Sequence, residues 1–290
     1  PVEIFLFGGA LLVYLAVRLI RLPDYPIYFF TDEAVQTMSA VDLLKNYLRG
    51  SDGHLLPTYF QNGVYYNLSL SVYLQVLPFL LFGKSVFATR ATSVLVSLLA
   101  ALSVGLILRQ HLKVRYWWAG VLLLSMMPAW FLHSRTAFET VVFTAMYAAF
   151  LYAYLLYRCT SPRYIYLPLL FAGLAFYSYN PGQLIIGSTG VLLLLIDLPY
   201  HWQQRPYWKR ALLILIALAL PYLRFRLSSD FTPGDHLRLL DSYWVQDITL
   251  PEKLAHFWAE YSRGLSINYW FNPEQQDMAR HTMKGYGNIQ

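Results

Sequence analysis

The sequence predicts an all-α polytopic membrane protein, and three observations carry that prediction. Hydrophobic residues make up 57% of the 290 residues and charged residues only 13%, whereas an ordinary soluble domain has about 25% charged residues. The apolar residues occur in runs that are close to the length a helix needs to cross a bilayer. Tyrosine and tryptophan are frequent near the ends of these runs, where interfacial aromatic belts form.

Seven runs are predicted to form spanning helices, because a span requires about 20 mainly apolar residues. They cover residues 4–20, 88–108, 117–132, 138–157, 164–179, 184–199 and 211–225. An eighth run, 65–82, contains Asn67, Gln75 and Pro78, which are unusual at lipid-facing positions. We expect it to form an interfacial or re-entrant helix. The alternative is that it crosses and that the N-terminus lies outside.

Alternate loops are rich in basic residues, and this pattern predicts the orientation. The loops 109–115, 158–163 and 201–210, here called the basic loops, together carry eight Lys and Arg residues. The loops 133–139 and 177–183 together contain a single Lys or Arg residue, Arg135. Basic loops are retained in the cytoplasm, so the residues after 226 are expected outside. The net charge of +6 therefore reflects orientation, and no nucleic-acid partner is expected.

Residues 33–49 are predicted to form an amphipathic helix on the outer membrane surface, because apolar residues recur at helical spacing. Such a helix lies along a membrane rather than across it. Its apolar face would contain Ala34, Met38, Val41, Leu44 and Leu48. Its polar face would contain Glu33, Gln36, Asp42, Lys45, Asn46 and Arg49.

The chain divides into two predicted parts. Residues 1–225 form a transmembrane module with an outer loop at about 21–87, and residues 226–290 form a more polar extracytoplasmic segment. The chain enters an apolar run directly after Pro1, which suggests a truncated chain. The single cysteine, Cys159, excludes an internal disulfide and a cysteine-based metal site.

Polar side chains gather near membrane depth on the predicted outer side. Ionisable groups there are costly and indicate function by default, so the cluster predicts a site for a charged, lipid-linked substrate. The candidates are Asp32, Glu33, Arg90, Ser134, Arg135, Glu139, Tyr179 and Asn180.

Structural interpretations of the same residues stay open. Asp32 could cap the helix that follows it, and Glu33 could favour the positive end of that helix. Arg90 could extend to the lipid headgroups. Arg135 and Glu139 are four residues apart and could form an ion pair on one helix.

Four stretches follow one another along the chain: "TDEA" (31–34), "FATRATSVLVSLL" (87–99), "LHSRTAFET" (132–140) and "GLAFYSYNPGQL" (173–184). Together they resemble integral-membrane glycosyltransferases of the GT-C fold. The nearest branch contains bacterial relatives of the dolichyl-phosphate-mannose protein mannosyltransferases and the lipid A aminoarabinose transferases. The resemblance extends to about residue 199. It implies a GT-C-like helix bundle with outer-face amphipathic helices and a C-terminal extracytoplasmic segment.

The resemblance also implies an activity. The expected reaction is an inverting transfer of a sugar from a polyprenyl-phosphate donor to a protein, lipid or glycan acceptor. It would take place at the extracytoplasmic face of the plasma (inner) membrane. The essential aspartate of the family's first outer loop corresponds to Asp32, and a second acidic position corresponds to Glu139.

The chemistry of sugar transfer assigns expected roles. Asp32, with Glu33 beside it, is the candidate general base, and Arg90 and Arg135 are candidate ligands of the leaving phosphate. Glu139 would orient the acceptor or Arg135. The other expected substrate-binding residues are Ser134, Tyr179 and Asn180. No metal ligand or cofactor is assigned, although the acidic pair could hold a divalent cation.

Two other classes of function stay open. A transporter of lipid-linked sugars places polar residues and broken helices near the bilayer midplane, and Pro181–Gly182 is the feature that favours it. The charges gather at run ends instead, which favours transfer. A non-catalytic membrane scaffold is the third interpretation, because the outer segment is large.

Overall fold

The computed structural model of the protein describes residues 2–63, 65–228, 233–273 and 277–289. Helices are the main secondary structure of this part of the chain. The α-helices are α1 (Val2–Leu19), α2 (Thr31–Lys45), α3 (Ser69–Phe82), α4 (Val86–Gln110), α5 (Ala119–Met126), α6 (Pro128–Ser134), α7 (Glu139–Cys159), α8 (Tyr166–Phe176), α9 (Asn180–Ile196), α10 (Leu198–Gln203), α11 (Trp208–Ser228), α12 (Pro233–Leu239), α13 (Leu250–Leu265) and α14 (Ile267–Phe271). An antiparallel hairpin of β1 (Tyr59–Asn62) and β2 (Tyr65–Leu68) separates α2 from α3.

Four helices in the described ranges are long and apolar enough to cross a membrane. They are α1, α4, α7 and α11, the last together with the short turn that starts at Arg205. They match the predicted runs 4–20, 88–108, 138–157 and 211–225. The prediction of an all-α polytopic membrane protein is therefore confirmed.

The remaining predicted runs form shorter helices. The run 117–132 is divided into α5 and α6 at Met127 and Pro128, because proline lacks the N–H that would continue the helix. The runs 164–179 and 184–199 become α8 and α9. Helix α3 has 14 residues, fewer than a span requires, so the non-crossing interpretation of 65–82 stays a prediction.

The centre of the bundle is the pair α4 and α7. Helix α7 packs along α4 on one side and along α8 on the other, and α1 packs on α4 and α5. The buried side of α4 consists mainly of small residues, which let helices approach closely inside a membrane. At Gly105, an added Cβ would lie 2.5 Å from the ring of Phe7 on α1.

One end of the bundle, here called the site end, joins three helices through two arginines. Arg18, at the end of α1, donates to the hydroxyl of Ser134 at the end of α6, over 2.7 Å. Arg90, near the start of α4, donates to the carbonyl oxygen of Leu22 over 3.0 Å. The chain between α1 and α2 is thereby fixed against the start of α4.

The three basic loops lie together at the opposite end. Tyr152 of α7 donates to Gln110 at the end of α4 over 3.1 Å. Arg158 of α7 pairs with Asp197, directly after α9, over 2.8 Å. The structure thus gathers the basic loops at one end, as the alternating charge pattern requires, and which end faces the cytoplasm stays a prediction.

Thiol labelling tests this orientation. In a Cys159→Ser background, a cysteine at exposed Ser51 is expected to react with a membrane-impermeant reagent added to intact cells. A cysteine at exposed Gln203, within the basic loop 201–210, is expected to react only after permeabilisation. Labelling of both positions in intact cells would contradict the orientation.

The predicted faces of the helix at 33–49 need correction. Helix α2 ends at Lys45, and Leu48 is exposed with a positive φ of 63°. Glu33 and Gln36, assigned to the polar face, are buried, whereas Met38, assigned to the apolar face, is 42% exposed. The reason is that α2 packs against α3 and the hairpin, so protein contacts rather than lipid decide which side is covered.

Candidate functional site

The site end is built around the first turn of α2. Phe30 is extended and precedes the helix, so Asp32 and Glu33 are its second and third residues. Successive helical residues point about 100° apart, and the two carboxylates therefore face different surroundings. The capping interpretation of Asp32 is wrong, because Phe30 occupies the N-cap position and Glu33 accepts a hydrogen bond from its N–H over 3.2 Å.

Glu33 and Arg90 form a fully buried, bidentate ion pair. The guanidinium Nε and Nη2 of Arg90 each lie 2.9 Å from one carboxylate oxygen of Glu33. Neither side chain has solvent exposure. Glu33 also accepts from the backbone N–H of Ala137 over 2.9 Å. The pair thus joins α2, α4 and the start of α7.

The remaining donors of Arg90 meet backbone oxygens. Nη1 lies 2.9 Å from the carbonyl oxygen of Pro26, and Nη2 lies 2.7 Å from that of Tyr28. With Glu33 and Leu22 these contacts use the whole guanidinium. Arg90 therefore fixes the loop between α1 and α2, and the predicted roles in headgroup contact and in phosphate binding are not supported by the geometry.

Arg135 likewise donates its hydrogen bonds to backbone oxygens. Its side chain is 3% exposed, and its donors reach carbonyl groups at and beyond the end of α1, which lack partners within the helix. The acceptors, at 2.7–3.2 Å, are the oxygens of Val17, Arg18, Ile20, Arg21 and Tyr25. A cation is favoured at this negative helix end.

The expected contacts of the residues next to Arg135 also change. Ser134 is fully buried and accepts from Arg18, so it does not face a substrate. Arg135 and Glu139 do not form the expected pair on one helix, because Arg135 lies in the break between α6 and α7. Arg135 is thus a structural residue, and it does not neutralise Glu139.

Asp32 differs from Glu33 in being half exposed. Its Oδ2 lies 2.9 Å from Nη1 of Arg280, which is 37% exposed, while the Asp32 side chain is 50% exposed. Arg280 also lies 3.3 Å from Nε2 of His281. The C-terminal segment therefore reaches back to the start of α2.

Two histidines line the same region. The rings of His133 and His281 stack with centroids 5.1 Å apart and planes 3° from parallel, and both lie beside Phe138. Burial and the neighbouring guanidinium of Arg280 lower the pKa of His281. That ring is therefore neutral at pH 7, and stacking on His133 does not bring two charges together.

Glu139 completes the region. It begins α7, lies within electrostatic range of Asp32 and Tyr179, and is partly buried. Within the described ranges, Glu139 Oε1 and His281 Nδ1 are buried without a hydrogen-bond partner. Buried polar groups are almost always bonded, so these two atoms are available to polar groups of a substrate.

Tyr179 and Asn180 lie at the start of α9. Tyr179 is partly buried beside Phe143, near Glu139, and is therefore brought to the candidate site. The amide of Asn180 donates to the carbonyl oxygen of Tyr66 over 3.0 Å. Asn180 thus fixes the hairpin rather than facing Asp32.

The residues do not fit the divalent cation that the acidic pair could have held. Glu33 is enclosed with Arg90, and Asp32 is paired with Arg280. No group of three or more His, Cys, Asp or Glu side chains is arranged for a metal in the described ranges.

Sequence reasoning missed Arg280 and His281. They lie more than 240 residues after Asp32, in a polar segment whose periodicity does not indicate what it contacts. The adjacent pair of basic and imidazole side chains in "MARHTM" was the available signal. This pair of residues indicates a site only once the fold has placed it against Asp32.

A protein-family model described as dolichyl-phosphate-mannose-protein mannosyltransferase matches residues 70–225, just over half of the chain. The matched range contains Arg90, Arg135 and Glu139, and it excludes Asp32 and Arg280. No curated protein and no solved structure matches the chain.

Proposed function

The chain belongs to the dolichyl-phosphate-mannose-protein mannosyltransferase family, and we propose that it transfers a sugar from a polyprenyl-phosphate carrier to an acceptor hydroxyl. The acceptor is a protein, lipid or glycan at the extracytoplasmic face of the plasma membrane. Family membership supports the class of reaction, and the arrangement of the site end supports the assignment of residues.

The reaction requires a base and a cation. The acceptor oxygen attacks the anomeric carbon, the bond from that carbon to the phosphate oxygen breaks, and polyprenyl phosphate leaves. A single displacement of this kind inverts the anomeric carbon. The proton of the hydroxyl passes to a carboxylate acting as general base, and a cation stabilises the charge of the leaving phosphate.

The observation that carries the proposal is the different placement of the two adjacent acids. Glu33 is enclosed in its pair with Arg90, whereas Asp32 is half exposed at the site end. Of these two acids, only Asp32 can approach an acceptor hydroxyl within hydrogen-bond distance without rearrangement of the fold. Asp32 is thus the general base, and Glu33 is a structural residue.

The acceptor subsite lies on the α7 side of Asp32. Glu139, Tyr179 and His281 present polar atoms there, and Oε1 of Glu139 and Nδ1 of His281 are unpartnered. These groups orient a hydroxyl-bearing acceptor by hydrogen bonds. Phe138, beside the stacked histidines, supplies an apolar surface.

The phosphate contact is assigned to Arg280. Its guanidinium is partly exposed and already lies against Asp32. By contrast, Arg90 uses its donors on Glu33 and on backbone oxygens, and Arg135 uses its donors on backbone oxygens. When the donor phosphate takes the guanidinium, Asp32 loses its counter-ion and is free to accept a proton. Arg280 therefore both binds the leaving group and prepares the base.

Replacement of Arg280 by glutamine is expected to lower kcat/KM for the donor by roughly ten- to a hundredfold, the equivalent of one charge-assisted hydrogen bond. Arg280→Lys is expected to restore only part of it, because lysine lacks the planar fork. Arg238→Gln is the control, since exposed Arg238 pairs with Asp235 in the same segment. An unchanged kcat/KM in Arg280→Gln would exclude the phosphate contact.

The structure removes the feature that favoured transport. Pro181 and Gly182 lie in the first turn of α9, where proline is well tolerated, rather than at a break within a span. The transporter interpretation therefore has no specific observation behind it.

The experiment is a transfer assay on full-length protein in proteoliposomes with a labelled polyprenyl-phosphate sugar. Transfer is expected to join the label covalently to an acceptor and release unlabelled polyprenyl phosphate. Movement of intact donor between leaflets would indicate a transporter. If the protein is folded but neither a labelled product nor movement of the donor is detected, the result would indicate a scaffold.

A further inference from the structure

Helix α13 carries a continuous apolar face that no other described element covers. The helix has no buried residue. Leu250, Leu254, Trp258, Tyr261 and Leu265 are each 50–65% exposed. At 3.6 residues per turn these five positions fall within an arc of roughly 100°, so they form one stripe along the helix.

The opposite side of α13 is polar and balanced in charge. Glu252 and Glu260 are matched by Lys253 and Arg263, and Arg263 lies 2.6 Å from Glu260. A face without net charge is not suited to attraction by an anionic partner. Attachment of this helix therefore depends on its apolar stripe.

The sequence itself sets the start of α13. Glu252 accepts from the backbone N–H and the hydroxyl of Thr249, over 2.8 and 2.7 Å, which is a capping arrangement that stabilises a helix start. Trp244 packs near Phe257 and is itself 41% exposed. The apolar stripe is thus extended by a second indole.

The segment that contains α13 is held at the site end by the residues that follow the helix. After it, Arg280 pairs with Asp32, and the carbonyl oxygen of Asn288 accepts from the N–H of Ala129 on α6, over 3.3 Å. The chain that follows α13 is therefore attached at the site end of the bundle.

We propose that α13 is an interfacial helix whose apolar stripe docks on the surface of the lipid bilayer beside the site. Tryptophan and tyrosine are favoured at that interface, and an amphipathic helix with one apolar face lies in the plane of the headgroups. The neutral polar face fits zwitterionic lipid. Docking would hold the segment that carries Arg280 next to the membrane.

The test uses the full chain in proteoliposomes, in a Cys159→Ser background. An environment-sensitive fluorophore is placed on a cysteine at Leu254, within the stripe, or at Ala259, on the opposite face. Quenching is measured with aqueous iodide and with spin-labelled lipid in phosphatidylcholine vesicles. Iodide quenching at Leu254 is expected to be roughly tenfold weaker than at Ala259, because a docked face is out of water.

The expected lipid quenching is the reverse, strong at Leu254 and weak at Ala259. Equal iodide access at both positions would overturn the proposal. Shielding of Leu254 that disappears on dilution with lipid would assign the stripe to a second copy of the chain. Shielding that requires anionic lipid would contradict the role of the neutral face. These measurements do not depend on sugar transfer, so they can fail independently of it.

Discussion

Sugar transfer by an Asp32→Asn variant is expected to be about a hundred- to ten-thousandfold slower than by the unchanged protein, because the substitution removes the general base. Asparagine keeps the size of the side chain. The ion pair lost with Arg280 is partly exposed, and pairs of that kind contribute about 1 kcal/mol or less. Insertion and the melting temperature in detergent are therefore expected to stay close to those of the unchanged protein.

Asp42→Asn is the matched control for this variant. Asp42 is an exposed carboxylate on the same helix, away from the site, so its replacement is expected to leave transfer unchanged. Initial transfer rates per folded molecule, measured in proteoliposomes, compare the two. Equal rates in both variants would leave Asp32 without a catalytic role.

A Glu33→Gln variant is expected to fail in folding rather than in chemistry. The substitution leaves the guanidinium of Arg90 buried and without a counter-charge. Removal of one partner from a buried pair costs about 3–5 kcal/mol. The expected results are a lower melting temperature and less correctly inserted protein, measured by thermal aggregation and protease protection.

A double variant separates two contributions to the loss of stability: the loss of the ion pair itself and the burial of one unpaired charge. In Glu33→Gln with Arg90→Gln no charge is left without a partner, so the combined loss of stability is expected to be smaller than the sum of the two single losses. Additive losses would show that the two side chains do not act as a pair. Normal stability of Glu33→Gln alone would contradict the structural role of Glu33.

The part of the fold that the sequence predicts best is the set of apolar helices, because length and hydropathy decide which segments can cross a bilayer. The loop charges predicted which helix ends share a side, and the structure joins the three basic loops at one end. The break within 117–132 at Met127 and Pro128 was not predicted, because the run is continuous by hydropathy alone.

The arginines show why the site was harder to predict. An arginine near a span end can face lipid headgroups, a substrate or the backbone of a neighbouring helix, and the local sequence is the same in each case. Arg90 and Arg135 meet oxygens of the loop between α1 and α2, which lies 62 or more residues away. Only the tertiary fold selects this outcome.

The acids were easier to recognise from the sequence, and their roles stay a prediction. Asp32 and Glu33 were recognised as adjacent carboxylates after the first span, and a separation of their roles was expected. The rotation of α2 about its axis determines which of the two carboxylates is exposed. That rotation is fixed by the packing of α2 against α3 and the hairpin, and helical periodicity had predicted a different buried face.

A single-turnover rate decides whether Asp32 takes the acceptor proton while Glu33 maintains the fold. Folded enzyme in excess over labelled donor, at saturating acceptor, isolates the transfer step from product release. Asp32→Asn is expected to slow this step by at least about a hundredfold, while the folded fraction of Glu33→Gln transfers at near the normal rate. Near-normal transfer by Asp32→Asn, with loss of the step in folded Glu33→Gln, would reverse the two assigned roles.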